Sequence, residues 1–128
     1  GSTGQKLSSW ALAPQIKMAA ARAGIRKPLL WVHCPAGAQL VSQIEHVALV
    51  LQRTDRFEAF PEADPAIVGA QITALKMAAD LTVYCNPVLM EEEAHTVRRQ
   101  LLITHGVDLD TFIAAAQSPT TQRSGPRS

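Results

Sequence analysis

Four short apolar runs, separated by helix-length segments, constrain this chain more than any other feature. They occupy residues 29–34, 47–51, 81–85 and 100–104. The second, Val47-Ala48-Leu49-Val50-Leu51, is apolar at every position. A strand with one wet face alternates polar and apolar residues, whereas a strand covered on both faces does not need to. Unbroken runs therefore point to a parallel sheet.

The intervening segments carry helix signals. Residues 8–23 place Ile16, Ala19, Ala20 and Ala23 at helical spacing, with the regular part beginning at Pro14 and Gly24 as the stop. Residues 39–45 put Leu40, Val41 and Ile44 on one face. Asp64-Pro65 and Asn86-Pro87 are cap-plus-proline starts, predicting helices over 64–79 and 86–99. The order α-β-α-β-α-β-α-β implies right-handed crossovers. The expected fold is α/β, with about four parallel strands and flanking helices in a partial Rossmann-like, three-layer αβα arrangement.

At 128 residues the chain has the length of one domain. Residues 5–116 form that expected domain, Gly1-Ser2-Thr3-Gly4 reads as a cloning scar, and residues 110–117 are expected to add a turn or two. The Ser-, Thr-, Pro- and Arg-rich stretch 117–128 reads as a disordered tail. A net charge of +1 and scattered basic residues give no field for nucleic acid, which is not an expected partner. No apolar stretch approaches the roughly 18 residues of a membrane span. Cys34 and Cys85 close two apolar runs, which predicts buried, reduced thiols and a cytoplasmic location.

Ligands of open α/β sheets bind beyond the carboxyl ends of the strands. That rule directs attention to His33-Cys34-Pro35, Thr54-Asp55-Arg56, Asn86-Pro87 and His105-Gly106. No glycine-rich phosphate loop, nucleophile elbow or CxxC pair accompanies them, so neither a cofactor nor a metal is expected. His33 and Cys34 are adjacent on a strand and face opposite ways, which argues against a catalytic pair. Glu91-Glu92-Glu93 reads as a solvated acidic helix start that complements the dipole, not a metal patch. His95 and His105 lack ligand spacing and read as surface residues. Phe57 and Phe60 read as loop anchors.

The strand-end residues also form a pattern. Leu30-Trp31-Val32-His33-x-Pro35 is followed by Thr54-Asp55-x-Phe57-x-Ala59-Phe60-Pro61. Ala79-Asp80-Leu81-Thr82-Val83, Asn86-Pro87-x-Leu89 and His105-Gly106-Val107-Asp108-x-x-x-Phe112 come next. In order and interval, over residues 28–112, this resembles the N-terminal domain of family 4-like glycosyltransferases of the GT-B fold. The nearest likeness is to bacterial enzymes of surface-polysaccharide synthesis. The resemblance implies the later half of an acceptor-side domain, because the family's opening β-α units with their glycine-rich loop have no counterpart here. It implies that the sugar nucleotide belongs to a second domain, and that this chain is inactive alone. The family's acids are replaced by Cys34 and Arg56, so no catalytic residue is assigned. His33 and Asp55 are the expected substrate-binding residues, with Asn86 and His105 at neighbouring strand ends. A glycan or lipid-linked acceptor at the inner membrane face is the implied partner. A non-catalytic module that homodimerises or binds a protein is the alternative, because a small sheet leaves edges to cover.

Overall fold

Helix and strand alternate as the sequence signals require. A computed structural model of the chain describes residues 2–106 and 113, with side chains from residue 10 onward. Helix α1 (Ser2–Arg22) precedes strand β1 (Leu29–Val32). A 3-10 turn (Pro35–Gly37) and the short helix α2 (Ala38–Val41) lead to β2 (Ala48–Arg53). A second 3-10 turn (Phe57–Ala59) and α3 (Pro65–Ala78) lead to β3 (Leu81–Tyr84). Helix α4 (Pro87–Glu93) and a last 3-10 turn (Ala94–Thr96) lead to β4 (Gln100–Leu102). Val107, Asp108, Phe112 and the expected tail lie outside the described residues.

The four strands are all parallel, in the order β1-β2-β3-β4, with helices flanking the sheet. The register puts Leu30, Val32, Leu49, Leu51, Arg53, Thr82 and Tyr84 on one face. Val41 of α2 with Leu75 and Ala79 at the end of α3 pack there against Leu49 and Leu51. Glu93 of α4 reaches Arg53 and Tyr84 on the same face. The crossover helices therefore share one side. That follows from strands added in sequence order through crossovers of one hand. The opposite face is also covered at its centre, since Val50 and Val83 are only 7% and 2% exposed. Its flanks are open: Leu29, Trp31 and Leu101 are exposed.

Asp64 caps α3 by accepting from the N–H groups of Ala66 and Ile67 at 3.0 and 3.2 Å. Asn86 caps α4 through Val88 and Leu89 at 2.9 and 3.4 Å. Gly24, at φ +73°, ends α1, with the Ile25 N–H donating to Ala20 O at 2.8 Å. That six-residue closure needs a left-handed residue, and glycine takes it without strain.

Several boundaries differ from expectation. Helix α1 starts at Ser2 and carries Pro14 inside it. The missing N–H there leaves the carbonyl four residues earlier without its helical partner. Strand β2 runs on to Arg53, which pairs with Tyr84 of β3 and whose buried charge is met by the carboxylates of Glu58 and Glu93. Helix α4 stops at Glu93, where Thr96 Oγ1 donates to the Glu93 carbonyl at 2.7 Å. Glu91, Glu92 and Glu93 thus close the helix rather than open it, and Glu93 is buried. The helix-start reading is corrected for all three, and the solvated one for Glu93 alone, since Glu91 and Glu92 are exposed; nearby cations, not the dipole, stabilise the last two acids. Cys34 is exposed, because β1 ends at Val32 and leaves it on the following turn. Cys85 is half-buried, and both thiols are free.

Candidate functional site at the carboxyl edge

The strand ends deliver the predicted residues to one rim. His33, Asp55, Asn86 and His105 each lie one to three residues beyond the end of β1, β2, β3 or β4. All four are exposed. Asn86 spends its side-chain oxygen on the α4 cap. His33, Asp55 and His105 sit at the surface.

Beneath this rim lies an ionic cluster that sequence reasoning missed. Arg53, at the last position of β2, is fully buried. Its Nε and Nη2 donate to the two oxygens of Glu93 at 3.4 and 3.1 Å, a fork-to-fork arrangement. Nη2 also donates to Glu58 Oε1 at 2.6 Å, and Nη1 donates to the main-chain carbonyl of Asp55. Tyr84 Oη donates to Glu93 Oε2 at 3.0 Å. Lys76 Nζ of α3 stands 3.4 Å from Glu93 Oε1. Two cations meet two carboxylates, so the cluster is neutral overall. That balance is what makes burial tolerable, because an unpaired charge in such a place costs several kcal/mol.

The electrostatics follow from this packing. Burial alone would pull the Arg53 pKa down, but the hydrogen bonds and charges of Glu93 and Glu58 hold it above its ordinary value. Burial would push Glu93 up, yet Arg53, Lys76 and the Tyr84 hydroxyl keep it below the usual carboxylate range. Glu58 is lowered too: burial opposes the shift, and the Arg53 hydrogen bond outweighs it. Tyr84 is pushed well above its ordinary value by burial and then by the Glu93 charge. A cluster saturated in this way offers no free base. Its effect is mechanical, because Arg53 ties the loop carrying Asp55 to Glu93 of α4, which in turn accepts from Tyr84 of β3. The one incomplete atom is Glu58 Oε2, which is buried without a hydrogen-bond partner.

The rim loop also holds Phe57 and Phe60, whose rings meet edge to face at 5.5 Å and 64°. Phe60 remains 45% exposed, so it anchors the loop with one edge only. Arg56 pairs with Glu92 across the same rim.

Two grooves open at the other edge of the sheet. One of about 680 Å³ is lined by Val41, Ser42, Glu45, His46, Leu75 and Ala78. One of about 730 Å³ lies between α1 and the segment leading into β2. Both sit at the amino ends of the strands, away from the polar residues of the carboxyl edge. The carboxyl edge is the stronger candidate, because exposed polar residues from all four strand ends lie along it, beside a buried, charge-locked base. Cavity volume alone specifies no chemistry.

Among the described residues no group of three or more His, Cys, Asp or Glu is placed to hold a metal ion. No helix among them is long and apolar enough to cross a membrane. No family model, curated protein or solved structure matches this chain.

Proposed function

We propose that this chain is the later part of the acceptor-side domain of a GT-B-type glycosyltransferase, with no turnover of its own. The observation that carries the reading is the placement of His33, Asp55, Asn86 and His105 just beyond the carboxyl ends of four parallel strands, along one edge of the sheet. These residues belong to the ordered motifs that resemble the family. The rim suits an acceptor whose hydroxyls exchange hydrogen bonds with His33 and Asp55. The donor sugar nucleotide would be held by another domain. A cytoplasmic enzyme working at the inner membrane face of a bacterium, on a glycan or lipid-linked sugar, fits this chemistry.

The test is an amide-shift titration of the labelled chain with a farnesyl-diphosphate-linked monosaccharide. Shifts centred on His33 and Asp55 support the reading. Shifts centred on Ser42 to His46 would move the site to the opposite groove and sink it. Release of nucleoside diphosphate from a sugar nucleotide by this chain alone would overturn the claim that it is inactive by itself.

A second reading is supported by the open flank of the sheet. Leu29 and Trp31 are exposed on edge strand β1, and Trp10 and Met18 are exposed on α1. An edge of this kind pairs readily with another chain. A homodimer or a complex with a protein partner would cover it. Light scattering decides the dimer: a strict monomer at high micromolar concentration rules it out.

A further inference from the structure

We propose that Arg53 is a positioning residue, a buried clamp that holds residues 54–60 and thereby fixes Asp55 at the rim. Four of its five N–H groups have acceptors on three separate elements: β2's own outgoing chain at Asp55, the following 3-10 turn at Glu58, and α4 at Glu93. Arg56 also ties this loop to α4 through Glu92, but that pair is half exposed, whereas the Arg53 side chain is fully enclosed. The two ends of the clamp differ. Glu93 is almost fully buried and takes four donor contacts, from Arg53 twice, Tyr84 and Lys76. Glu58 takes one, its side chain is 29% exposed, and its second oxygen is unsatisfied. The Glu93 end is therefore the fixed anchor, and the Glu58 end is where the loop can be released without disturbing the sheet.

A guanidinium suits the place because its donors are spread over three nitrogens aimed at separate acceptors; a lysine ammonium has its three donors on one atom and cannot span them. The importance of this clamp for ligand capture rests on the acceptor-side reading above, but its mechanical part is independent of that reading.

The experiment compares the full chain with Glu58→Gln and Arg53→Lys by hydrogen exchange and by the carbonyl carbon shift of Asp55. The loop amides that report are Ala59, bonded to Arg56 O at 2.9 Å, and Phe60, bonded to Phe57 O at 3.3 Å. The reference amides are Leu49, held by Asp80 at 2.9 Å, and Ala79, held by Leu75 O at 2.8 Å. In both variants, exchange at Ala59 and Phe60 should rise roughly tenfold or more while the reference amides keep their protection. The Asp55 carbonyl should shift in Arg53→Lys, with no rescue of loop protection by the retained charge. Wild-type exchange at Ala59 and Phe60 in both variants would overturn the clamp. So would an equal rise at every amide in Glu58→Gln, because that substitution leaves the Arg53–Glu93 anchor intact. The lipid-linked sugar titration runs beside it. A wild-type chain that binds no acceptor while its variants loosen the loop defeats the functional reading and leaves the clamp standing.

Discussion

Tyr84 and Glu93 join the end of β3 to the end of α4 by a 3.0 Å hydrogen bond from phenol to carboxylate, with Tyr84 completely enclosed. The phenol supplies one of the donors that make the Glu93 charge tolerable in the interior. A tyrosine in a strand is ordinarily read as bulk; here its hydroxyl is needed too.

Tyr84→Phe keeps the ring and removes that donor. Hydrogen bonds to charged groups are worth about 1.5–3 kcal/mol, so a loss in this range is expected on urea unfolding, with the fold retained. The same substitution should change the alkaline limb. The Tyr84 pKa is raised in the folded state, so the native protein holds this proton more tightly than the unfolded chain does. Its contribution is complete below the ordinary value of 10.0 and declines as pH rises above it. Tyr84→Phe should lack that part of the alkaline decline. An unchanged pH profile would show that Tyr84 does not titrate as described.

Acid should act through Glu93 and Glu58. Both carboxyls are lowered in the folded state, so the unfolded chain binds their protons more readily. Stability from this source is full above the unfolded value near 4.5 and is lost as pH falls through the folded values. Glu93→Gln should be less stable at neutral pH and should show a shallower loss below about pH 4.5. Unfolding midpoints measured between pH 3 and 7, within the carboxylate range, check both parts.

Gly37 lies against β1. A Cβ placed there would stand 2.6 Å from Val32 Cγ1, and valine has little rotamer freedom with which to move aside. Gly37→Ala should therefore cost about 1–3 kcal/mol by overpacking. Adding Val32→Ala should recover part of that loss in a double-mutant cycle. Simple additivity of the two would refute the contact.

The thiols should react at different rates. Cys34 is exposed and Cys85 half-buried, both free. An aromatic disulfide reagent added to the native protein should modify Cys34 in a fast phase and Cys85 more slowly. Cys34→Ser should abolish the fast phase. Equal rates for both thiols would contradict the assigned exposures.

Much of the architecture was legible from local chemistry. Asp64-Pro65 and Asn86-Pro87 start α3 and α4 because a side-chain oxygen and a proline meet the needs of a helix's first turn whatever surrounds them. The apolar run at 47–51 announced a strand covered on both faces, and Leu49, Val50 and Leu51 are buried. The strand-end rule gathered His33, Asp55, Asn86 and His105 at one edge from topology alone. The ionic base beneath them was not legible. Glu91, Glu92 and Glu93 look alike in sequence, and Arg53 looks like the polar start of a loop.

Local preference and hydrophobic pattern, acting over a few residues, determined the alternation of elements, the caps and the parallel sheet. Only the tertiary structure decided which glutamate turned inward, how far β2 extended and which thiol stayed in water. Arg53 and Glu93 stand forty residues apart in sequence, and each tolerates burial because the other is there to pair with it. A charge pair formed across that distance leaves no periodic trace in either segment, so it exists only once strand and helix have packed.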